Sequence, residues 1–184
     1  LRKIPAPNSR IPIASGVFGY NIAGICIRGD NDKSWKNEVE AEAIANQIQQ
    51  WKDADQNIFP SFTVGVVTPF SAQVTLIKNK LNTLNISGIK IGTAHDFQGS
   101  ERDIMIFSPV VSNGITPNAI SWMSKPTNLV NVALTRAREA LLIIGNLAKC
   151  REAHGTILSD MAEYVKKVTL LRKTSAAELE LFSW

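Results

Sequence analysis

The run Leu141-Leu142-Ile143-Ile144-Gly145 has no polar side chain on either of its alternating faces. A strand of that kind is stable only when both of its surfaces are covered, and such strands belong to parallel sheets with helices on both sides. Directly before it, residues 131–138 read Asn-Val-Ala-Leu-Thr-Arg-Ala-Arg. Val130, Ala133, Leu134 and Ala137 follow the i, i+3, i+4, i+7 spacing of one helical face, which predicts a helix packed on that side with its polar residues turned elsewhere. Arg136 and Arg138 stand two positions apart, roughly 200° around a helix of 3.6 residues per turn. They therefore face different surfaces, so that one can meet a ligand while the other tethers the helix.

The rest of the chain repeats the alternation of strand and helix. Ile25-Cys26-Ile27 reads as a short strand, followed by a polar loop through Asp30, Asn31 and Asp32. A helix follows, with Glu40, Ile44, Ile48 and Trp51 along one side, Ala41 and Ala45 beside them, and Ser34 or Asn37 as its cap. Thr63 to Thr68, with Val64, Val66 and Val67, is a β-branched strand, and Pro69 opens a helix whose stripe is Val74, Ile77, Leu81 and Leu84. Ile89 to Gly92 and Ile104 to Phe107 are two further apolar strands, separated by the polar segment Thr93 to Arg102. A loop is expected from Ser112 to Lys125, and helix from Asn146 to Trp184, where Ile157, Met161, Tyr164 and Val168 keep helical spacing. This order predicts an α/β domain with a mainly parallel sheet. Polar chemistry set between buried strands points to a site at strand ends.

With 184 residues the chain has room for about one domain and a small extension. No apolar run approaches the roughly 20 residues that span a bilayer. The opening Leu1-Arg2-Lys3-Ile4-Pro5-Ala6-Pro7 lacks the apolar core of a signal peptide, so an intracellular protein is expected. The start without methionine, in a Pro-rich stretch, reads as a fragment of a longer protein or an engineered chain. Cys26 and Cys150 have no partner at ligand spacing, and His95 and His154 lie far apart, which argues against a disulfide or a zinc site. A net charge of +4 permits attraction to a polyanion without a basic block to specify one.

Two segments carry a more specific signal. Thr93-Ala94-His95-Asp96-Phe97-Gln98-Gly99-Ser100-Glu101-Arg102-Asp103 resembles motif V of superfamily 1 helicases of the nonsense-mediated-decay and replication-nuclease type, a branch of the AAA-type P-loop NTPases. Residues 131–137, Asn-Val-Ala-Leu-Thr-Arg-Ala, resemble motif VI of the same group, and Thr68-Pro69-Phe70-Ser71-Ala72-Gln73 resembles its motif IV. The resemblance covers about residues 20–150 and implies a second RecA-like motor domain, a three-layer sandwich with a mainly parallel central sheet. Residues 1–20 would then be an extended lead-in and 151–184 a C-terminal helical extension. Three positions depart from the family pattern: Thr127-Asn128 in place of a basic pair, Gly145-Asn146 in place of Gly-Asp, and Phe70 in place of Tyr.

The resemblance also implies site residues. Arg136 matches the arginine that reaches across an inter-domain cleft to the γ-phosphate, where a guanidinium stabilises charge on a transferring phosphoryl group. Gln98, Gly99 and Glu101 match positions beside the nucleotide. Thr68 and Pro69, at a strand-to-helix turn, and Thr93, at the next strand end, would hold phosphates of a single strand of DNA or RNA, together with free amides of the helix start. His95 adds a polar or stacking contact, against the competing reading of an ordinary loop histidine. Ser34, Asn37, Glu40 and Ala41 match the segment that opens this domain in the family, yet a capping box explains their spacing. Trp122-Met123 reads as packing rather than as a stacking platform.

A nucleoside-triphosphate motor also needs a Gly-x-x-x-x-Gly-Lys-Ser/Thr loop and an acidic pair for magnesium. No Gly-Lys dipeptide occurs in the chain. ATP and Mg2+ are therefore expected to be held mainly by a first RecA-like domain of the same parent protein, and the fragment alone is expected to be inactive. Two rivals remain: a nucleic-acid-binding or interaction module that has lost motor activity, and the translocase part of a nuclease or restriction system.

Overall fold

The computed structural model describes residues 12–29, 34–56, 59–124 and 129–181, leaving aside the side chains of residues 129, 130, 134 and 170–181. The Pro-rich opening, the loop through Asp30, Asn31 and Asp32, the Thr127-Asn128 departure and the side chains of Val130 and Leu134 lie outside the described residues.

Five strands form one sheet in the order β1-β7-β6-β4-β5, with β1 Gly16–Asn21, β4 Val64–Val67, β5 Lys90–Gly92, β6 Arg102–Phe107 and β7 Ala137–Gly145. All four pairings are parallel. A separate antiparallel ribbon joins β2 Cys26–Arg28 to β3 Trp35–Asn37. The helices are α1 Glu38–Ala54, α2 Ser71–Thr83, α3 Pro117–Met123, α4 Leu129–Arg136, α5 Leu147–Glu152 and α6 Ile157–Leu181.

The strand period of two sorts the core into layers. Ile104 and Ile106 of β6, Leu142 and Ile144 of β7, and Val64 and Val66 of β4 meet Ile44, Ile48 and Trp51 of α1 and Ile77 and Leu81 of α2. Met105 and Phe107, with Leu141 and Ile143, point the other way and meet Met123 of α3, Ala133 of α4, Cys150 of α5 and Leu158, Met161 and Val165 of α6. The result is the RecA-like three-layer sandwich, with the fully apolar strands β6 and β7 at its centre.

Several expectations are corrected. Gly16–Asn21 is a sheet strand on β7, so the sheet begins inside the stretch read as a lead-in. The strand read at Ile25-Cys26-Ile27 belongs to the ribbon, where Cys26 is buried and Ile27 exposed. The stretch expected as loop contains α3, capped by the Thr116 side chain accepting from Ala119 N–H, with Pro117 at its start. The C-terminal helix is two helices, separated at Gly155 with φ +71°. The buried Leu158, Met161 and Val165 tie the start of the second into the core.

The most consequential difference is at Arg138. Helix α4 ends at Arg136 and the chain passes at once into β7, so Arg138 is a strand residue. Strand pairing outweighs helical propensity here, because β7 hydrogen-bonds to β6 on one side and β1 on the other. Between the pairs Arg102–Ala137 and Ile104–Ala140, β7 carries one residue more than β6, a bulge that re-aims the side chains at this sheet edge.

Candidate functional site

A parallel sheet gathers all its strand ends on two edges. At the carboxyl edge the chain leaves β4 into Thr68 and Pro69 and leaves β5 into Thr93. Here a groove of 890 Å³ is lined by Pro69, Ser71, Thr93, His95, Gln98 and Trp122, among others. Thr93 is built into its wall by Asp96, whose Oδ2 accepts from the Thr93 N–H at 2.7 Å and from its hydroxyl at 3.0 Å. The hydrogen bond from the Thr93 backbone, with that from its hydroxyl, holds the Asp96 carboxyl below its usual range.

The start of α2 is less open than its sequence suggests. Phe70 supplies no side-chain cap, but Ser34 at the ribbon accepts from the Ala72 N–H at 3.1 Å and from the Ser71 hydroxyl at 3.3 Å. The amide at Ala72 is therefore occupied. Thr68 is wholly buried, and its hydroxyl has no hydrogen-bond partner among the described residues. Its N–H donates to Gly92 O, tying the two strand ends together. In this conformation Thr68 lies beneath the groove and not on its surface. Gln98, which the resemblance sets beside a nucleotide, lines the groove with Thr93 and His95.

Below the groove lies a buried polar network. Gln73 Oε1 accepts from the Asn37 N–H at 2.9 Å, while its Nε2 donates to Asn37 O at 3.3 Å and to Ser108 Oγ at 3.2 Å. The Asn37 side chain caps α1 by accepting from the Glu40 N–H. Glu40 does not close a capping box. Its Oε1 instead accepts from the Ser108 hydroxyl at 2.5 Å and from the Val110 N–H at 2.9 Å. Burial pushes the Glu40 carboxyl up to about 7, against the pull of those two hydrogen bonds. One signal was in the sequence: a glutamate on the apolar stripe of α1.

The amino edge of β6 and β7 holds the remaining residues. Arg138 Nε donates to Glu101 Oε2 at 3.1 Å, and its Nη1 stands 3.8 Å from Asp103. Burial alone would raise the Asp103 carboxyl, but hydrogen bonds from Thr63 and the Arg138 charge hold it below its usual range. Gly99 has φ +72° and open space where a Cβ would stand, so the loop turns there without touching a neighbour. Arg136, at the end of α4, has its Nε buried and without a hydrogen-bond partner among the described residues. The structure thus brings Pro69, Thr93, His95 and Gln98 into one groove and sets Arg136 and Glu101 apart from it. The 3-10 turn Ala94–Phe97 packs against α4 and links the two.

A family model described as an AAA domain matches residues 8–148. The chain belongs to the superfamily 1 helicase domain family. Its relatives include the probable RNA helicase armi of Drosophila melanogaster, 30% identical over an alignment of 154 residues that covers 79% of this chain and 12% of that protein. The DNA polymerase alpha-associated DNA helicase A of Saccharomyces cerevisiae is 29% identical over 71% of this chain and 18% of its own. Helicase sen1 of Schizosaccharomyces pombe is 33% identical over 72% of this chain and 8% of its own. This helicase domain therefore spans less than a fifth of the length of these relatives. No described helix of the domain is long and apolar enough to cross a membrane.

Proposed function

We propose that this chain is the second RecA-like motor domain of an intracellular, ATP-dependent helicase or translocase acting on single-stranded DNA or RNA. The observation that carries the reading is Arg136. It stands within the segment resembling motif VI, at the helix-to-strand junction, with a buried Nε that no described residue satisfies. A buried donor without an acceptor costs about 1–3 kcal/mol, which favours a re-oriented Arg136 that meets an anionic oxygen at the domain surface.

A triphosphate and its Mg2+ need a Gly-Lys-Ser/Thr loop, which this chain lacks. In the proposed arrangement a first RecA-like domain of the parent protein holds both. Arg136 faces that domain across a cleft and spreads its charge over the phosphoryl group being transferred. Gly99 lets the loop approach closely, and Glu101, oriented by Arg138, orders a sugar hydroxyl or a water. The groove residues Pro69, Thr93, His95 and Gln98, with Ser71, grip the strand, and Thr68 supports the turn beneath them. Closing and opening of the cleft moves that grip along the strand.

The test is Arg136→Ala in the full parent protein. ATP turnover is expected to be lost while single-strand binding is largely kept, and the 184-residue chain alone is expected to hydrolyse no ATP. Near-wild-type turnover in the variant removes Arg136 from the catalytic role. A parent protein that binds single strands without any ATP turnover favours the binding-module reading instead.

A further inference from the structure

Trp122 is 52% exposed, although its neighbour Met123 is buried at 4%. The indole rests on Phe70, with ring centroids 5.7 Å apart and planes inclined by 31°. Phe70 is itself buried at 7%, so the lower ring is fixed and the upper one is held out into the groove. A second flat pair lines the same groove: the exposed Arg28 guanidinium lies 4.1 Å over the ring of buried Trp35. Among the described residues, no carboxylate lines this groove.

We propose that Trp122 is a stacking platform for an unpaired base of the single strand, with the Arg28–Trp35 pair as the second flat surface of that site. The inference rests on the nucleic-acid reading above and adds a base contact to its phosphate contacts. A large aromatic face exposed in a cleft lacks partner atoms on one side, and a nucleobase supplies them over the whole ring. Arginine planes stack on bases equally well. The Arg28 guanidinium in the lining attracts the phosphates on either side of that base. Because every base has a π-face, the contact selects for unpaired bases and not for sequence.

The test compares the 184-residue chain and its variants on two labelled strands at low salt, oligothymidylate and a strand of equal length made of abasic sites. Wild type is expected to bind the intact strand roughly 5- to 150-fold more tightly, the range for one stacked base. In Trp122→Ala that ratio falls toward one, with affinity for the abasic strand unchanged. Trp122→Leu keeps an apolar contact on Phe70 and is expected to lose the ratio as well, whereas Trp122→Phe keeps most of it. The ratio is internal to each protein, so a loss of folded fraction does not imitate it. A wild-type ratio in folded Trp122→Ala or Trp122→Leu overturns the stacking role and leaves the nucleic-acid reading standing. Failure of wild type to bind either strand overturns both.

Discussion

The Ser108 hydroxyl donates to Glu40 Oε1 at 2.5 Å, joining the end of β6 to the first turn of α1 in a contact where both residues are fully buried. The same oxygen takes the Val110 N–H, and Val110 has φ +53°. A left-handed β-branched residue is strained, so this carboxyl holds the exit from β6 in a conformation it would not otherwise keep. That exit leads to α3 and Trp122.

Glu40 makes stability pH-dependent. Its folded pKa is raised from 4.5 to about 7, so the folded state binds the proton more tightly than the unfolded chain. The stabilisation is fully present below the unfolded value and is lost as pH rises through about 7. Its size is about 2–4 kcal/mol. Urea unfolding at pH 5 and pH 8 is expected to show the loss, and Glu40→Gln, a neutral isostere, is expected to flatten this component. An unchanged slope in the variant would assign the pH dependence to other groups.

Gln73 bridges Asn37 and Ser108, and all three residues are fully buried. Gln73→Ala leaves the Asn37 N–H without an acceptor and removes two further bonds. It is expected to cost about 2–4 kcal/mol, read as a shift in denaturation midpoint. Asn37→Ala removes chiefly a helix cap and is expected to cost about 1 kcal/mol.

The Arg138–Glu101 pair is about half exposed on both sides. A double-mutant cycle on folding stability is expected to give a coupling of about 0–1 kcal/mol that shrinks in high salt. A coupling well above that range would make the pair a structural clamp rather than an orienting contact.

Gly65 and Gly99 are expected to respond differently to alanine. At Gly65 a Cβ would stand 2.7 Å from Met105 Sδ and 2.8 Å from Phe97 Cε1, inside the core. Overpacking there is expected to cost about 1–3 kcal/mol. At Gly99 the space is open and only the positive φ resists, for a net cost of about 1 kcal/mol. Thermal unfolding of both variants distinguishes them, and in the parent protein Gly99→Ala is expected to reduce ATP turnover more than Gly65→Ala.

The layers were legible because they depend on neighbours close in the chain. The continuous apolar runs in β6 and β7 require cover on both faces, and the stripes of α1 and α2 supply it on one side. The Thr116-Pro117 start of α3 carried a helix signal, but one too short for periodicity to reveal. Strand β1 did not stand out, since its residues are only partly buried and its pairing partner lies more than 120 residues away. Likewise, a glutamate on an apolar helical stripe was visible, but its acceptance from Ser108 and Val110 depends on residues some 70 positions distant.

From the order of residues alone came the α/β class, the parallel sheet and the motif segments, because side-chain period and local chemistry are short-range properties. Where those segments act was decided by the packed sheet. It turned Arg138 from a helix residue into a strand residue ion-paired with Glu101, placed Thr68 beneath the groove with Gln98 in its wall, and exposed Trp122 beside buried Met123. Strand pairing and burial are cooperative over the whole domain. The direction in which a single side chain points is therefore known only once its distant neighbours are in place.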